Sequence, residues 1–214
     1  MASSLTQSND VPKIPCLTLL TAGRNFKAHS QVRSKPVHEI HSVFEPLARR
    51  RIRDVQVPGF VDRDEAVPRF TPLADSVYLA LDEGYFRLDS VGNHGQLAMS
   101  LVTATEPSPA LQGEDEEFTL ASCGDSFLAD SHSEYRITRI RYALNNESVP
   151  GSGTVRCAEF EFENHFIVFA DPMYHFGIRL EGVGAYDRWI NDSRDEPATF
   201  GPTREGVWVP ATIT

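Results

Sequence analysis

The chain has 214 residues, of which 41% are hydrophobic and 23% are charged. This length and composition predict one globular domain with a substantial core. The formal net charge of −10 argues against nucleic acid or an anionic membrane as a partner, and no apolar run reaches the roughly 18 residues that span a bilayer. Three scattered cysteines are too few for a disulfide framework or a zinc site. We therefore expect a soluble cytoplasmic protein without a cofactor.

The charge is unevenly distributed along the chain. Residues 1–53 contain nine Lys or Arg and three Asp or Glu, whereas residues 54–214 contain eleven arginines and twenty-seven Asp or Glu. An acidic body of this kind favours a basic protein as partner. The alternative is that the acidity serves only to keep the protein in solution.

Residues 1–36 differ in composition from the rest of the chain. They are rich in Ser, Thr, Asn and Gln, contain Asp10 as their single acidic residue, and show no sustained helix or strand periodicity. Three interpretations stay open for this segment: a disordered leader, an organellar transit peptide, or translated sequence ahead of a true start near Val37. Residues 37–214 are predicted to form a single β-rich domain.

The domain is predicted to begin with a short helix. Its apolar residues have the i, i+3, i+7 spacing of one helix face and are Val37, Ile40, Phe44 and Leu47. Pro46 interrupts this stripe, so only one to three turns are expected. A strand is predicted over residues 52–57. An irregular connection is predicted after it, with three prolines and an acidic cluster: Pro58, Pro68, Pro72, Asp62, Asp64 and Glu65.

A β-meander is predicted from Ser76 onwards. Apolar residues alternate along residues 77–81, and residues 82–84 have the composition of a tight turn. Two further alternating stretches follow up to Val102. Residues 105–117 are then predicted to be a surface loop, because they contain two prolines, a glycine and an acidic run.

The second half repeats this arrangement. Strands are predicted over residues 135–144 and 155–162, and residues 166–170 are apolar on both faces, as in a central buried strand. The chain beyond Gly182 is predicted to be coil. Arg-Ile-Arg precedes a loop and a hairpin in both residues 51–102 and residues 139–182, which suggests two similar strand-loop-hairpin halves. The predicted fold is therefore mainly β, an antiparallel sheet or a two-layer sandwich, with α+β as the alternative.

Two groups of side chains are candidates for chemistry. His38, His41 and Glu45 share one side of the predicted helix, where they could ligate a metal, but a polar helix face is the preferred interpretation. His165, Asp171 and His175 flank the apolar stretch 166–170, and two imidazoles with a carboxylate are suited to acid–base or metal chemistry. The competing interpretation is that these residues lie in turns.

Gly124-Asp125-Ser126-Phe127 resembles the Gly-Asp-Ser block of the esterases named for a Gly-Asp-Ser-Leu motif. The resemblance implies a nucleophilic Ser126 on an α/β scaffold. This chain departs from that pattern at Phe127, in the mid-chain position of the block and in the spacing of Asp171 to His175. A turn is the preferred interpretation.

The favoured functional hypothesis is a non-enzymatic bacterial interaction protein. In size and acidity the chain is similar to the immunity proteins that neutralise basic toxins, and charge complementarity would be the mechanism. The candidate contact residues are the acidic run in the predicted loop, Glu114, Asp115, Glu116 and Glu117. The alternative hypothesis is a small hydrolase or metal-dependent enzyme that uses the His165, Asp171 and His175 group.

Overall fold

Two antiparallel β-sheets make up most of the protein in the computed structural model. The structure describes residues 37–63, 67–107, 117–129, 132–173, 176–195 and 201–211, all within one unit bounded by Lys35–Thr214. In chain order the strands are β1 (Ile52–Asp62), β2 (Arg69–Pro72), β3 (Ser76–Leu81), β4 (Tyr85–Val91), β5 (Gln96–Val102), β6 (Glu117–Ser122), β7 (Ile137–Leu144), β8 (Thr154–Val155), β9 (Cys157–Phe162), β10 (Ile167–Pro172), β11 (Ile178–Glu181) and β12 (Arg204–Trp208).

The first sheet has the order β2-β1-β3-β4-β5-β8, with β6 also paired to β1, and the second has the order β11-β10-β9-β7-β12. Strands β1-β3-β4-β5 form a four-stranded antiparallel meander, and strands β7-β9-β10-β11 form another with the same connectivity. The predicted mainly β fold with a short N-terminal helix is confirmed.

The helices are short, and each covers part of a sheet. Helix α1 (His41–Phe44) lies between the 3₁₀ turns Val37–Ile40 and Glu45–Arg49, and α2 (Gly124–Phe127) is a single turn. Helix α3 (Ala185–Asp195) is the longest of the three in the described part of the chain.

The main core lies between the two sheets because apolar residues alternate along the strands. Val77 and Leu79 of β3 are buried in a cluster that also contains Ile140 and Phe160 of the second sheet. Phe86 and Phe160 meet edge to face across the interface, with 6.2 Å between ring centres. The arrangement is a two-layer sandwich.

Helix α3 adds a third layer on the other face of the second sheet. Tyr186 and Ile190 pack there against Phe169 and Cys157 in a separate buried cluster. Phe169 therefore faces α3, whereas its neighbours Val168 and Ala170 face the main core. This explains why residues 166–170 are apolar on both faces.

The two sheets are joined at two places, one at the last strand and one at the first strand of the first meander. Strand β8 pairs with β5 in the first sheet, and after Arg156 the chain continues as β9 in the second sheet. Ile52 at the start of β1 forms an isolated bridge with Tyr135, just ahead of β7. Strands that pass from one sheet to the other are a usual way to close a sandwich at its corners.

The prediction of coil beyond Gly182 is wrong, because α3 and β12 form there. Trp208 of β12 is buried in the main core at 2% exposure. Gly206 has no side chain, and a Cβ atom at this position would overlap the ring of Tyr142. Because Gly206 lacks a Cβ atom, β12 can lie directly against the ring of Tyr142.

The irregular connection predicted after residue 57 is also partly wrong. Strand β1 continues through Pro58 to Asp62, and β2 follows as a short edge strand. Pro58 has no N–H, but its carbonyl accepts a hydrogen bond from the Leu73 amide at 2.8 Å. The predicted surface loop ends at Glu117, where the unpredicted strand β6 begins.

No helix in the described ranges is long and apolar enough to cross a membrane.

Candidate functional site

The candidate site is a pocket on the solvent side of the first sheet. Leu79 and Phe86 point into the core, so the alternation of side chains turns Ser76 and Tyr78 of β3 to the opposite face. Arg87 and Asp89 of β4 lie on the same face, where Tyr78 is directly opposite Arg87 and Ser76 is opposite Asp89. The hairpin register therefore brings these four side chains together.

The pocket has a volume of about 280 Å³. Its floor consists of the four hairpin side chains, and β1, the turn before β3, the end of β4 and the segment after β5 supply the walls. These wall residues are Pro58, Leu73, Asp75, Ser90, Val91 and Glu106.

Hydrogen bonds fix Asp89 in the floor. Its Oδ1 atom accepts from Arg87 Nε at 2.7 Å and from Ser76 Oγ at 2.5 Å. The guanidinium carbon of Arg87 lies 5.9 Å from the centre of the Tyr78 ring, and Arg87 Nη1 is 4.0 Å from Glu106 Oε2. Burial lowers the pKa of Arg87, but the hydrogen bond and charge of Asp89 outweigh it and hold that pKa above its usual value.

The pocket carries an excess of negative charge. It is lined by three carboxylates, Asp75, Asp89 and Glu106, against the single guanidinium of Arg87. None of the described lining residues is a histidine or a cysteine, and the Ser76 hydroxyl donates to Asp89. These described groups are suited to binding a cation, and they include no nucleophile–base pair of the kind that acyl-transfer chemistry uses.

The residues of the predicted acid–base site are not brought together where the structure describes them. His165 lies in the turn between β9 and β10 with φ of 65° and a side chain that is 90% exposed. Asp171 lies near the far end of β10, six residues further along a strand that rises about 3.3 Å per residue. His175 lies outside the described residues.

Asp171 is a buried carboxylate that stabilises the second sheet through ion pairs. Its side chain is 4% exposed and forms ion pairs with Arg156 at 2.9 Å and with Arg179 at 3.0 Å. Two guanidinium groups compensate the cost of burying this carboxylate. Asp171 therefore links β10, β11 and the chain between β8 and β9.

The candidate metal ligands at the N-terminus contact separate partners. His41 Nε2 lies 3.1 Å from Tyr142 Oη, and Glu45 Oε1 accepts a hydrogen bond from Trp208 Nε1 at 3.3 Å. The side chain of His38 lies outside the described part. Among described side chains, no group of three or more His, Cys, Asp or Glu is placed to hold a metal ion. His41 and Glu45 attach the N-terminal turns to β7 and β12.

Only one residue of the predicted acidic contact run is described. Glu117 begins β6 and pairs with Arg63, whose Nε lies 3.0 Å from Glu117 Oε2. Glu114, Asp115 and Glu116 lie outside the described residues, as do Asp64 and Glu65 of the other acidic cluster. Glu106 of the pocket belongs to the same β5–β6 connection as the acidic run.

The Gly124-Asp125-Ser126-Phe127 string forms α2, and Ser126 is exposed on this single turn. The predicted turn is thus one turn of helix.

Ion pairs between neighbouring strands, and from the sheet to α3, lie on the outer face of the second sheet. Arg139 pairs with Glu161 at 2.8 Å, and Arg141 pairs with Glu159 at 3.3 Å. Arg141 also binds Asp187 of α3 at 2.6 Å and lies 4.2 Å from the centre of the Tyr186 ring. Burial raises the pKa of Glu159, and the positive charge of Arg141 opposes this shift. This network fastens α3 to the sheet.

Sequence reasoning did not identify the pocket. Its signal was present, because Ser76 and Tyr78 lie opposite Arg87 and Asp89 in a hairpin whose alternation was recognised. Glu106 could not be placed, because no periodicity fixes the path of a loop.

No protein-family model, curated protein or solved structure matches the chain.

Proposed function

We propose that this chain is a non-enzymatic interaction protein of the bacterial cytoplasm that binds and neutralises a basic protein, as immunity proteins do. The observation that carries the proposal is the pocket on the first sheet, where three carboxylates face one arginine. The pocket lies in a chain with a net charge of −10. Complementary charge accelerates association with a basic partner and disfavours acidic competitors.

The placement of the other candidate residues supports binding over catalysis. Asp171 is held by two arginines and His165 is exposed at the opposite end of β10. The described part of the chain thus offers no pairing of these two groups for acid–base work.

The proposal is tested with a panel of purified basic proteins that includes several basic nucleases. Binding is measured by isothermal titration calorimetry at low and high salt. We expect at least one nuclease to bind, to lose its activity on binding, and to bind at least ten-fold more weakly at 300 mM than at 50 mM salt, because screening weakens rim charges. Failure of every nuclease to bind, or salt-insensitive binding, would overturn the proposal.

Charge-removing variants locate the contact on the protein. Asp75→Asn and Glu106→Gln are expected to slow association about three- to ten-fold each, since rim charges act mainly on the association rate. Asp192→Asn is the matched control, because Asp192 is an exposed carboxylate on α3, on the second sheet. An equal effect of all three variants would place the contact elsewhere.

A further inference from the structure

We infer that the pocket on the first sheet is a binding site for a single organic cation, the guanidinium or ammonium group of one partner side chain. This inference deepens the proposed function and rests on it for the identity of the partner. It states in addition that one side chain enters the pocket and that the cation alone is recognised.

The size of the pocket limits its occupant. Pockets for drug-sized ligands and cofactors occupy about 300–1,000 Å³, and this pocket has about 280 Å³. One long side chain fits such a volume. Pro58, Leu73 and Val91 provide apolar walls for the methylene groups of that side chain.

The floor holds one carboxylate ready for a cation. Arg87 Nε and Ser76 Oγ both donate to Oδ1 of Asp89, and no described group donates a hydrogen bond to its Oδ2. The Asp89 side chain is 22% exposed, so water screens it less than a surface carboxylate. Its geometry is fixed before a ligand arrives, which lowers the ordering cost of binding.

The charge balance selects a cation over an anion. Arg87 is the only positive group among the described lining residues, and its Nε already donates to Asp89 Oδ1 at 2.7 Å. At the rim, Glu106 is 79% exposed and lies 4.0 Å from Arg87 Nη1, and Asp75 is exposed and has no ion pair with a described residue. An entering anion would meet two rim carboxylates, whereas an entering guanidinium or ammonium group is attracted by them.

An exposed aromatic residue beside the pocket indicates that the cation belongs to a protein. The Ile178 amide donates to the Ala74 carbonyl at 2.6 Å, which fixes the β10–β11 turn against the pocket wall at Leu73 and Asp75. Phe176 in this turn is 81% exposed. Aromatic residues are enriched at protein–protein contacts, whose polar and charged groups lie mostly at the rim.

The test uses capped amino acids as probes. N-acetyl-arginine methylamide and N-acetyl-lysine methylamide are titrated into the full-length ¹⁵N-labelled protein, with N-acetyl-citrulline methylamide as the uncharged control. We expect millimolar binding of a cationic probe, with amide shifts concentrated in β3, β4 and residues 103–107. Citrulline is expected to cause at most a tenth of these shifts. A preference for arginine indicates recognition of a planar guanidinium, and a preference for lysine indicates a point-charge site.

Variants separate the pocket from the rest of the surface. Glu106→Gln changes an exposed side chain and is expected to weaken binding of the cationic probe about three-fold without disturbing the fold, and Asp89→Asn about ten-fold. Asp192→Asn is the charge-matched control with unchanged affinity. Phe176→Ala is expected to weaken the basic protein partner but not the free probe, because the probe has no surface to meet Phe176.

Three results would overturn the inference: no shifts with either cation, equal shifts with citrulline, or shifts of the same amides by inorganic phosphate, which would make Arg87 the recognition group. Its failure is distinguishable from failure of the proposed function. If a basic nuclease binds while the probes do not, the proposed function stands and the pocket assignment is lost. If the probes bind and no basic protein does, the pocket assignment stands and the proposed function is lost.

Discussion

At the scale of single residues, the backbone next to the pocket depends on Gly177, a position where a side chain would overlap a neighbouring segment. Gly177 follows the exposed Phe176 and has a φ of +74°. A Cβ atom there would overlap the carbonyl of Ala74, the group that accepts the Ile178 hydrogen bond. One glycine thus joins the β10–β11 turn to the wall of the pocket.

Gly177→Ala is expected to lower the free energy of unfolding by about 2–4 kcal/mol, because it adds the overlap with Ala74 to the cost of a left-handed backbone. Gly92→Ala is the matched control. Gly92 also has a φ of +74°, but a Cβ atom there has nothing within 4 Å. The free energy of unfolding of the Gly92→Ala control should therefore fall by only about 1–2 kcal/mol. Urea unfolding measures both, and equal losses would show that the contact with Ala74 does not matter.

Glu159 gives a prediction about pH. Because burial raises its pKa in the folded protein, the folded state binds this proton more tightly than the unfolded state does. The contribution of Glu159 to stability therefore rises as the pH falls from 7 towards its ordinary pKa near 4.5. Glu159→Gln should be most favourable relative to the parent at pH 7 and should lose this advantage towards pH 4.5.

The measurement for Glu159→Gln is the free energy of unfolding in urea at intervals between pH 7 and pH 4.5. Asp192→Asn on the exposed side of α3 corrects for the change in net charge. A constant difference between Glu159→Gln and the parent across this range would contradict the assigned shift.

At the scale of elements, α3 is held to the second sheet by both apolar and charged contacts. Phe169 and Tyr186 meet edge to face at 5.9 Å between ring centres. The Arg156 guanidinium lies 5.0 Å from the centre of the Trp189 ring. One polar group in this contact is unsatisfied: the hydroxyl of buried Tyr186 has no hydrogen-bond partner among the described residues. A buried polar group without a partner costs about 1–3 kcal/mol.

Tyr186→Phe should therefore stabilise the protein by about 1 kcal/mol, since the ring stays and the unpaired hydroxyl goes. Tyr142→Phe is the opposite case. The hydroxyl of that buried tyrosine lies 3.1 Å from His41 Nε2, and its loss should cost about 1 kcal/mol. Thermal and urea unfolding measure both changes. Destabilisation by Tyr186→Phe would reveal a partner for its hydroxyl, such as a bound water.

How much could be predicted from the sequence depended on the kind of element. The β3–β4–β5 meander was predictable because strict alternation and tight turns are local signals. Helix α3 also has a local signal in the sequence, since the residues that face the sheet have helical spacing: Ala185, Tyr186, Ile190 and the partly buried Trp189. Strand β12 has almost no local sequence signal for a strand, because a glycine occupies its centre. Tertiary contact with Tyr142 explains that glycine.

The spacing of apolar residues slips by one near Ala158, and the cause is a change of sheet, not a bulge. The register of β9 against β10 is continuous, and the change of face occurs at Arg156, where the chain leaves the first sheet. A strand that changes sheets and a bulged strand give the same sequence pattern. The hairpin side of the pocket has a signal in the alternation of β3 and β4, but the rim has none, because it depends on where a loop places Glu106.

At the scale of the whole molecule, one core serves both meanders. The main cluster contains buried residues from the N-terminal turns, from both sheets and from β12, which ties the first described segment to the last. Domains of this size with a shared core usually unfold in one cooperative step. The α3 layer is a separate cluster, and its ion pairs connect it to the same second sheet.

We expect this layer to unfold together with the core. The chain has two tryptophans, so Trp208→Phe leaves Trp189 to report on the α3 layer, and Trp189→Phe leaves Trp208 to report on the core. In each variant the fluorescence transition in urea should coincide with the transition seen by far-UV circular dichroism. An earlier fluorescence transition in Trp208→Phe alone would show that α3 detaches first.

The hydrogen bond between Trp208 and Glu45 has a consequence for synthesis. The two residues are 163 positions apart, and a ribosome adds about 5–20 residues per second. Roughly 8–30 s therefore pass between their appearances. Strand β7 ends at Leu144, so for about the last 3–13 s of that time the edge of β7 and the ring of Tyr142 lack the strand that will cover them. A nascent chain in this state exposes an unpaired strand, and that interval is when it is most open to aggregation or to capture by a chaperone.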